Sequence, residues 1–200
     1  ITIGTVKVMD KIYGIDILIR SFAKVFNYFS REDPAIAKKL RLKIVGGGSR
    51  VSEVPFLKDL KLLAKEMGIE SITKFVGQVP NVEVPQHLNT LDIYVAMSRV
   101  ESFGVAVIEA SACELPVVVS DVGGLPEVVV DNKTGFIGFG FDKTWDLFGK
   151  LAYKLTDQIR LNLSYWLVTA HRKGFDPQYI YWDKGQNELF RDTDRITFTW

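Results

Sequence analysis

Two glutamates, Glu101 and Glu109, stand eight residues apart in the run E-S-F-G-V-A-V-I-E. Carboxylates accept hydrogen bonds well from vicinal diols, so the pair could read the hydroxyls of a sugar or ribose. Were the segment wholly helical, a rise of ~1.5 Å per residue would set them about 12 Å apart, the span of a small ligand. Between them Gly104 opens a predicted helix, and the first N–H groups of a helix have no intrahelical acceptor, so the same stretch offers an anion site. Phosphate is the expected guest. Carboxylates repel phosphate, so the two glutamates must face other parts of the ligand. Glu109 falls in the second turn among Val107, Ile108, Ala110 and Ala112, which predicts a largely apolar surrounding and a need for a partner. A purely structural arrangement is also open, with Glu101 capping the helix N-terminus and Glu109 paired with a lysine or arginine.

Lys7 and Lys11 are the candidate cations for a diphosphate, through charge-assisted hydrogen bonds at the end of the first strand. Lone surface lysines are more often simply solvated. Glycine recurs in five loops that would follow strands: Lys7 to Gly14, Gly46 to Ser49, Gly77 to Pro80, Ser98 to Gly104, and Asp121 to Gly124. Turns of this kind need glycine for positive φ, so one such loop says little. Five at the carboxyl ends of the strands favour a ligand pocket, because open α/β sheets bind ligands there.

The elements that must position these residues follow from the apolar pattern. Thr2 to Val8 alternates with β-branched residues, Asp10 to Gly14 turns, and Ile15, Leu18, Ile19, Phe22, Ala23 and Phe26 recur at helical spacing. Leu42 to Val45 is a second strand ending in Gly46, Gly47 and Gly48. Phe56, Leu60, Leu63, Ala64 and Met67 mark a helix closed by Gly68. Strands at Thr73 to Val76, Ile93 to Ala96 and Val117 to Ser120 alternate with a short helix near 85–89, a longer one ending at Cys113 and another short one at 125–130, before Gly135, Phe136 and Ile137. This alternation predicts an α/β fold, a doubly wound Rossmann-like parallel sheet with helices on both faces.

Two hundred residues at 47% hydrophobic content can bury one sizeable core. With 25 basic and 24 acidic residues dispersed along the chain, the net charge of +1 gives no field that would select nucleic acid or a membrane surface. No apolar run approaches the roughly 18 residues of a membrane span. The lone Cys113, expected in the core beside Ala110, Ala112 and Leu115, can form neither an internal disulfide nor a metal cluster, which fits a reducing cytoplasmic setting. His87 and His171 are isolated. The chain begins at Ile1 inside a predicted strand, with no signal peptide, the start expected of a fragment of a longer protein. The regular alternation stops near residue 140, and all four tryptophans lie beyond it. Residues 1–140 are therefore expected as one domain. Residues 141–200 are expected as a helical or irregular tail packing on it, with helices suggested by Leu147, Leu151, Leu155, Leu161, Tyr165 and Val168 and a loop over Lys173 to Gln186.

The E-x7-E run resembles the signature of the group 1 (family 4) retaining glycosyltransferases. The resemblance extends to I-V-G-G-G at 44–48, K-F-V-G-Q-V at 74–79, L-D-I-Y-V-A-M-S at 91–98, P-V-V-V-S-D-V-G-G-L-P-E at 116–127 and N-K-T-G-F-I at 132–137, covering about residues 1–140. Beyond that, only D-Q-I-R-L-N-L-S at 157–164 resembles the family's helical segment.

The resemblance implies the C-terminal, nucleotide-sugar-binding half of a two-domain GT-B enzyme. Glu109 would bind the ribose and Glu101 would face the donor sugar. Ser102, Phe103, Gly104 and Val105 would meet sugar or phosphate, and Gly47 with Gly77, Gln78 and Val79 would lie toward the nucleotide. Lys7 and Lys11 match the basic pair that stabilises the diphosphate leaving group, although the family commonly carries Arg where this chain has Lys7. No cofactor or divalent metal is implied. The partners implied are a nucleotide-sugar donor and an absent N-terminal acceptor-binding domain, without which the chain should bind donor weakly and transfer sugar poorly. A non-catalytic module binding a nucleotide or sugar phosphate on the same fold is the alternative, since fold does not fix function. A scaffold in which both glutamates are structural ions is a third reading.

Overall fold

The structure is a computed structural model describing residues 1–47, 53–131, 133–138, 189–192 and 195–198. The chain forms two compact units, Ile1–Lys150 and Leu151–Trp200.

The first unit is built on short apolar strands: β1 (Thr2–Val6), β2 (Arg41–Val45), β3 (Thr73–Gly77), β4 (Ile93–Ala96), β5 (Val117–Ser120) and β6 (Gly135–Gly138). All pair in parallel, in the order β3-β2-β1-β4-β5-β6. Such strands are covered on both faces, and Tyr94, Val95 and Val117 to Val119 are fully buried. The helices are α1 (Ile15–Glu32), α2 (Pro34–Ala37), α3 (Glu53–Glu66), α4 (Val84–Leu88), α5 (Val105–Ala112) and α6 (Leu125–Val128).

From β1 the chain steps outward to β2 and β3, then crosses back to β4 and steps outward the other way. Right-handed crossovers in opposite directions fall on opposite faces. Accordingly α1 packs with α2 and α3, and α5 packs with α4 and α6. The direction reverses between β1 and β4, where the ladder is two residue pairs, Ile3 with Ile93 and Gly4 with Tyr94. At such a switch point the loops beyond the carboxyl ends diverge to the two faces and leave a crevice between them.

Helix α1 shows how the sequence fixes these elements. Leu18, Ile19, Phe22, Ala23, Val25 and Phe29 form its buried stripe. Burying each large side chain contributes roughly 1.5–3 kcal/mol. Asp33 ends α1 and starts α2, its carboxylate accepting from the Ala35 and Ile36 N–H groups while Pro34 takes the first helical position. The expected first strand stops two residues early, at Val6. There the chain leaves the ladder and Asp10 caps a one-turn 3₁₀ helix, Lys11–Tyr13, by accepting from the Ile12 N–H.

In the second unit the structure describes an antiparallel pair of strands, β7 (Leu189–Asp192) and β8 (Arg195–Phe198), with Leu189 opposite Phe198 and Asp192 opposite Arg195. No strand was expected in this tail. The aromatic and β-branched content of Phe190, Ile196, Thr197 and Phe198 suits strands, and it is too short a pattern to stand out in the sequence. The suggested helices over 147–168, the D-Q-I-R-L-N-L-S segment and the 173–186 loop lie outside the described residues.

Candidate functional site

Lys7 follows β1 and Glu101 follows β4, so the two residues flank the switch point although 94 residues separate them. Their side chains meet as an ion pair, Nζ to Oε2 at 2.5 Å, with side-chain exposures of 10% and 12%. The fully buried Ser98 hydroxyl donates to the same Oε2 at 3.4 Å. Both contacts fall on one carboxylate oxygen; among the described residues none donates to Oε1. The Lys7 ammonium also lies 4.5 Å from the centre of the Tyr13 ring, a cation–π placement.

The Glu101 loop is held from behind by the Asp121 to Gly124 turn. A Cβ on Gly123 would sit 1.7 Å from the Glu101 carbonyl oxygen, and its φ of +54° lies in the left-handed region. The Gly124 N–H donates to that carbonyl at 3.2 Å. Glycine is therefore required here by close approach as well as by backbone conformation. Each of the five glycine-containing loops has a described glycine of positive φ, so the conformational explanation applies to all of them.

Glu101 does not cap α5. The N-cap is Gly104, at φ +88°, which offers no side-chain acceptor. The Gly104 carbonyl takes the Val107 and Ile108 N–H groups, and the first N–H groups of the helix have no acceptor within it. The helix starts only at Val105, so Glu101 and Glu109 do not share one helical run.

Glu109 corrects an expectation. It lies in the second turn as predicted, but it is exposed rather than in an apolar surrounding. The reason is helical geometry. Val107 and Ala110 form the buried face, while Glu109 falls on the opposite side with Val105, four residues earlier and 58% exposed. No described residue donates to its carboxylate or pairs with it. Phe103, also part-exposed, precedes the helix, and Ser102 is exposed beside it. Cys113, expected in the core, is half-buried at the C-cap of α5, where burial first and the nearby Glu109 and Glu114 charges next push its thiol pKa up.

Lys11 is exposed, and among the described residues none contacts its ammonium. Its turn is anchored elsewhere. Arg99 forms a two-pronged bond to Asp16, at 2.9 and 2.7 Å, and donates to the Lys11 carbonyl at 2.5 Å. Burial alone would raise the Asp16 carboxyl, but the hydrogen bonds and charge of Arg99 together outweigh it and hold the carboxyl below its ordinary range.

Of the residues expected toward the nucleotide, Gly47, Gly77 and Gln78 come together. A Cβ on Gly47 would sit 2.8 Å from the Gln78 Cβ, and Gly46 donates to the Gly77 carbonyl at 2.8 Å. Val79 follows, half-buried. The Met9 N–H donates to the Gly47 carbonyl at 3.4 Å, which joins this cluster to the loop after β1. Gly48, Ser49, Asn132 and His171 lie outside the described residues.

Tyr13, Asp16, Tyr94, Ser98 and Arg99 were not picked out from sequence. The Tyr94 hydroxyl donates to the Val6 carbonyl at 3.3 Å, tying β4 to the end of β1 just before Lys7. Burial, with the Glu101 and Glu109 charges as lesser causes, pushes its pKa far up, so the phenol stays neutral. The run S-R-V-E did place Ser98 and Arg99 near Glu101. No local pattern could have joined Arg99 to Asp16.

Residues 1–161 match the family model described as Glycosyl transferases group 1. A D-inositol 3-phosphate glycosyltransferase of Corynebacterium jeikeium (strain K411) is 33% identical over 161 residues, 80% of this chain and 36% of its own length. A GDP-mannose-dependent alpha-(1-6)-phosphatidylinositol monomannoside mannosyltransferase of Mycolicibacterium smegmatis is 35% identical over 136 residues, 64% of this chain and 32% of its own. The chain thus spans about a third of the length of these curated relatives. Anabaena HepE, solved in complex with UDP and glucose, superposes with a TM-score of 0.66 at 22% identity, over 80% of this chain and 39% of that one. The C-terminal domain of LpcC from Francisella tularensis, a glycosyl transferase group 1 family protein, gives 0.63 at 24% identity, over 82% and 78%. At these identities the two structures show the shared fold. No described helix is long and apolar enough to cross a membrane.

Proposed function

The chain belongs to the group 1 glycosyl transferases, and on that premise we propose that its first 140 residues are the donor-binding half of a retaining, two-domain GT-B enzyme acting in the cytoplasm. The reaction moves a sugar from a nucleoside diphosphate to an acceptor hydroxyl. An N-terminal domain outside this chain supplies the acceptor wall of the cleft. The observation that carries the reading is the contrast at the switch point: Lys7 and Glu101 are locked together, while the Glu109 carboxylate stands exposed with no described donor.

The roles follow from that geometry. Glu109 accepts from the ribose hydroxyls. Glu101, whose Oε2 is occupied by Lys7 and Ser98, presents Oε1 to a sugar hydroxyl. Ser102, Phe103 and the first N–H groups of α5 meet sugar or phosphate, and the Gly47, Gly77, Gln78 and Val79 cluster lies toward the base. As the glycosidic bond breaks, negative charge collects on the departing diphosphate, and the cations Lys7 and Lys11 with the helix N-terminus stabilise it. The Glu101 contact holds Lys7 at a fixed place before substrate arrives, so that stabilisation needs little reorganisation. The chain's own cations fill the role that a divalent metal would take, and no metal is called for.

Calorimetric titration of this chain with UDP-, GDP- and ADP-sugars tests the reading. One of them should bind with weak, micromolar to millimolar affinity and release little free sugar. A folded chain that binds none of the three contradicts it. In the complete protein, Glu109→Gln separates the enzyme from a non-catalytic binding module: transfer falls if the roles are right.

A further inference from the structure

Lys11 presents a difficulty for the proposed site. A long, exposed side chain on a surface turn loses much conformational freedom when it binds a ligand. The turn that carries it is unusually well fixed, however, and the residue that fixes it belongs to the Glu101 loop.

Arg99 lies two residues before Glu101 and makes three side-chain hydrogen bonds to the Lys11 region. Nη1 donates to Asp16 Oδ1 and to the Lys11 carbonyl, and Nη2 donates to Asp16 Oδ2. The Arg99 and Val100 N–H groups both donate to the Ile12 carbonyl, at 2.6 and 3.4 Å. Consecutive carbonyls at 11 and 12 are therefore held by one segment 88 residues away. Just beyond, Gly14 lies so close to the Met97 carbonyl that a Cβ would come within 1.7 Å of the oxygen. The two loops that flank the switch point are thus joined, at the 3₁₀ turn by Arg99 and at its end by the close approach of Gly14 to Met97.

We propose that Arg99 is a positioning residue for the donor site, acting through Lys11: its two-pronged bond to Asp16 and its bond to the Lys11 carbonyl set the Lys11 ammonium in register with the Lys7–Glu101 pair. This rests on the donor-binding reading above. Lysine could not replace it, because a single ammonium cannot match both carboxylate oxygens in one plane and also hold the carbonyl. The Arg99 pair is part-exposed, with side-chain exposures of 36% and 26%, so its value for overall stability is small and its geometric effect can be read separately.

The test is a double-mutant cycle on this chain, measured by titration with UDP, GDP and ADP and using whichever binds wild type most tightly. Arg99→Gln and Lys11→Gln should each weaken binding about five- to tenfold, the size of one charge-assisted hydrogen bond. In the double variant the losses should not multiply: once Lys11 is gone, Arg99→Gln should cost less than about twofold more. Losses that multiply would show Arg99 touching ligand directly or acting through the fold at large, and would overturn the proposal, as would an Arg99→Gln chain that binds like wild type. If Arg99→Gln does not stay folded, Arg99→Lys must show the same loss and the same coupling to Lys11. Wild type binding none of the three diphosphates would remove the donor-binding reading and this inference with it, an outcome distinct from normal binding without coupling.

Discussion

Glu101 and Glu109 have the same side chain and equal standing in the sequence motif, yet they sit in opposite surroundings. Glu101 is nearly buried, with Oε2 committed to Lys7 and Ser98 and its backbone pressed against Gly123 and Gly124. Glu109 is exposed on the outer face of α5 beside Val105, with no described donor. The same contrast runs through the cations: Lys7 is paired, and the Lys11 ammonium touches no described residue. One carboxylate and one lysine belong to the architecture as well as to the site. The other two are exposed and carry no described polar partner.

Removing the charge that Glu101 pairs with, and separately the charge of Glu109, is the strongest way to break this comparison. Lys7→Met leaves the Glu101 carboxylate nearly buried without its cation, and urea unfolding should show a loss on the order of 3 kcal/mol. Glu109→Gln should leave the same unfolding curve within about 0.5 kcal/mol of wild type, because exposed substitutions away from contacts cost little. Its effect should appear in donor affinity instead, as a loss of roughly tenfold. Equal stability losses for the two variants would mean that the environments are not distinct.

Helix α5, which carries Glu109 and leads toward β5, allows a finer test. Its N-terminal residue of positive φ is a glycine, Gly104, whereas after its C-terminus the chain places Glu114 at φ +61°. A left-handed conformation disfavours a residue with a Cβ by about 1–2 kcal/mol. Glu114→Gly should therefore raise stability by about 0.5–1 kcal/mol, after allowing for the side-chain interaction that is lost. A destabilised variant would show that the Glu114 side chain outweighs its backbone.

The smallest expected effect compares the two ion pairs, Lys7–Glu101 and the more exposed Arg99–Asp16. Asp16 has a folded pKa below its unfolded one, so its contribution is complete above the unfolded value near about 4 and is lost as pH falls through the lower folded value. For so exposed a pair the contribution is no more than roughly 1 kcal/mol. Acid titration of the unfolding free energy should show a shallower decline below about pH 4 in Arg99→Gln than in wild type. Identical acid limbs would indicate that Arg99 is not what lowers the Asp16 carboxyl.

Much of the fold was legible because it rests on local patterns. β4 and β5 fall where their apolar runs do, and the buried stripe of α1 follows its 3.6-residue spacing except toward its end, where Val25 and Phe29 are buried and the expected Phe26 is only half-buried. The glycine loops marked the carboxyl ends of the strands. The antiparallel pairing of β7 and β8 was missed because four-residue strands carry too little periodic signal. The surroundings of Glu109 were misread because apolar neighbours in sequence lie on several faces of a helix, and only the face containing Val107 and Ala110 is buried.

By itself the sequence determined the α/β class and the residues at the strand ends, together with a family resemblance that the match over residues 1–161 bears out. These are properties of residue type and near spacing, which periodicity and turn chemistry transmit directly. Tertiary structure alone decided which charges meet. Lys7 finds Glu101, and Arg99 finds Asp16, only because the reversal of strand order sets β1 beside β4 and brings together loops more than 80 residues apart. No local rule encodes such a meeting, because it depends on how the strands are ordered in the sheet.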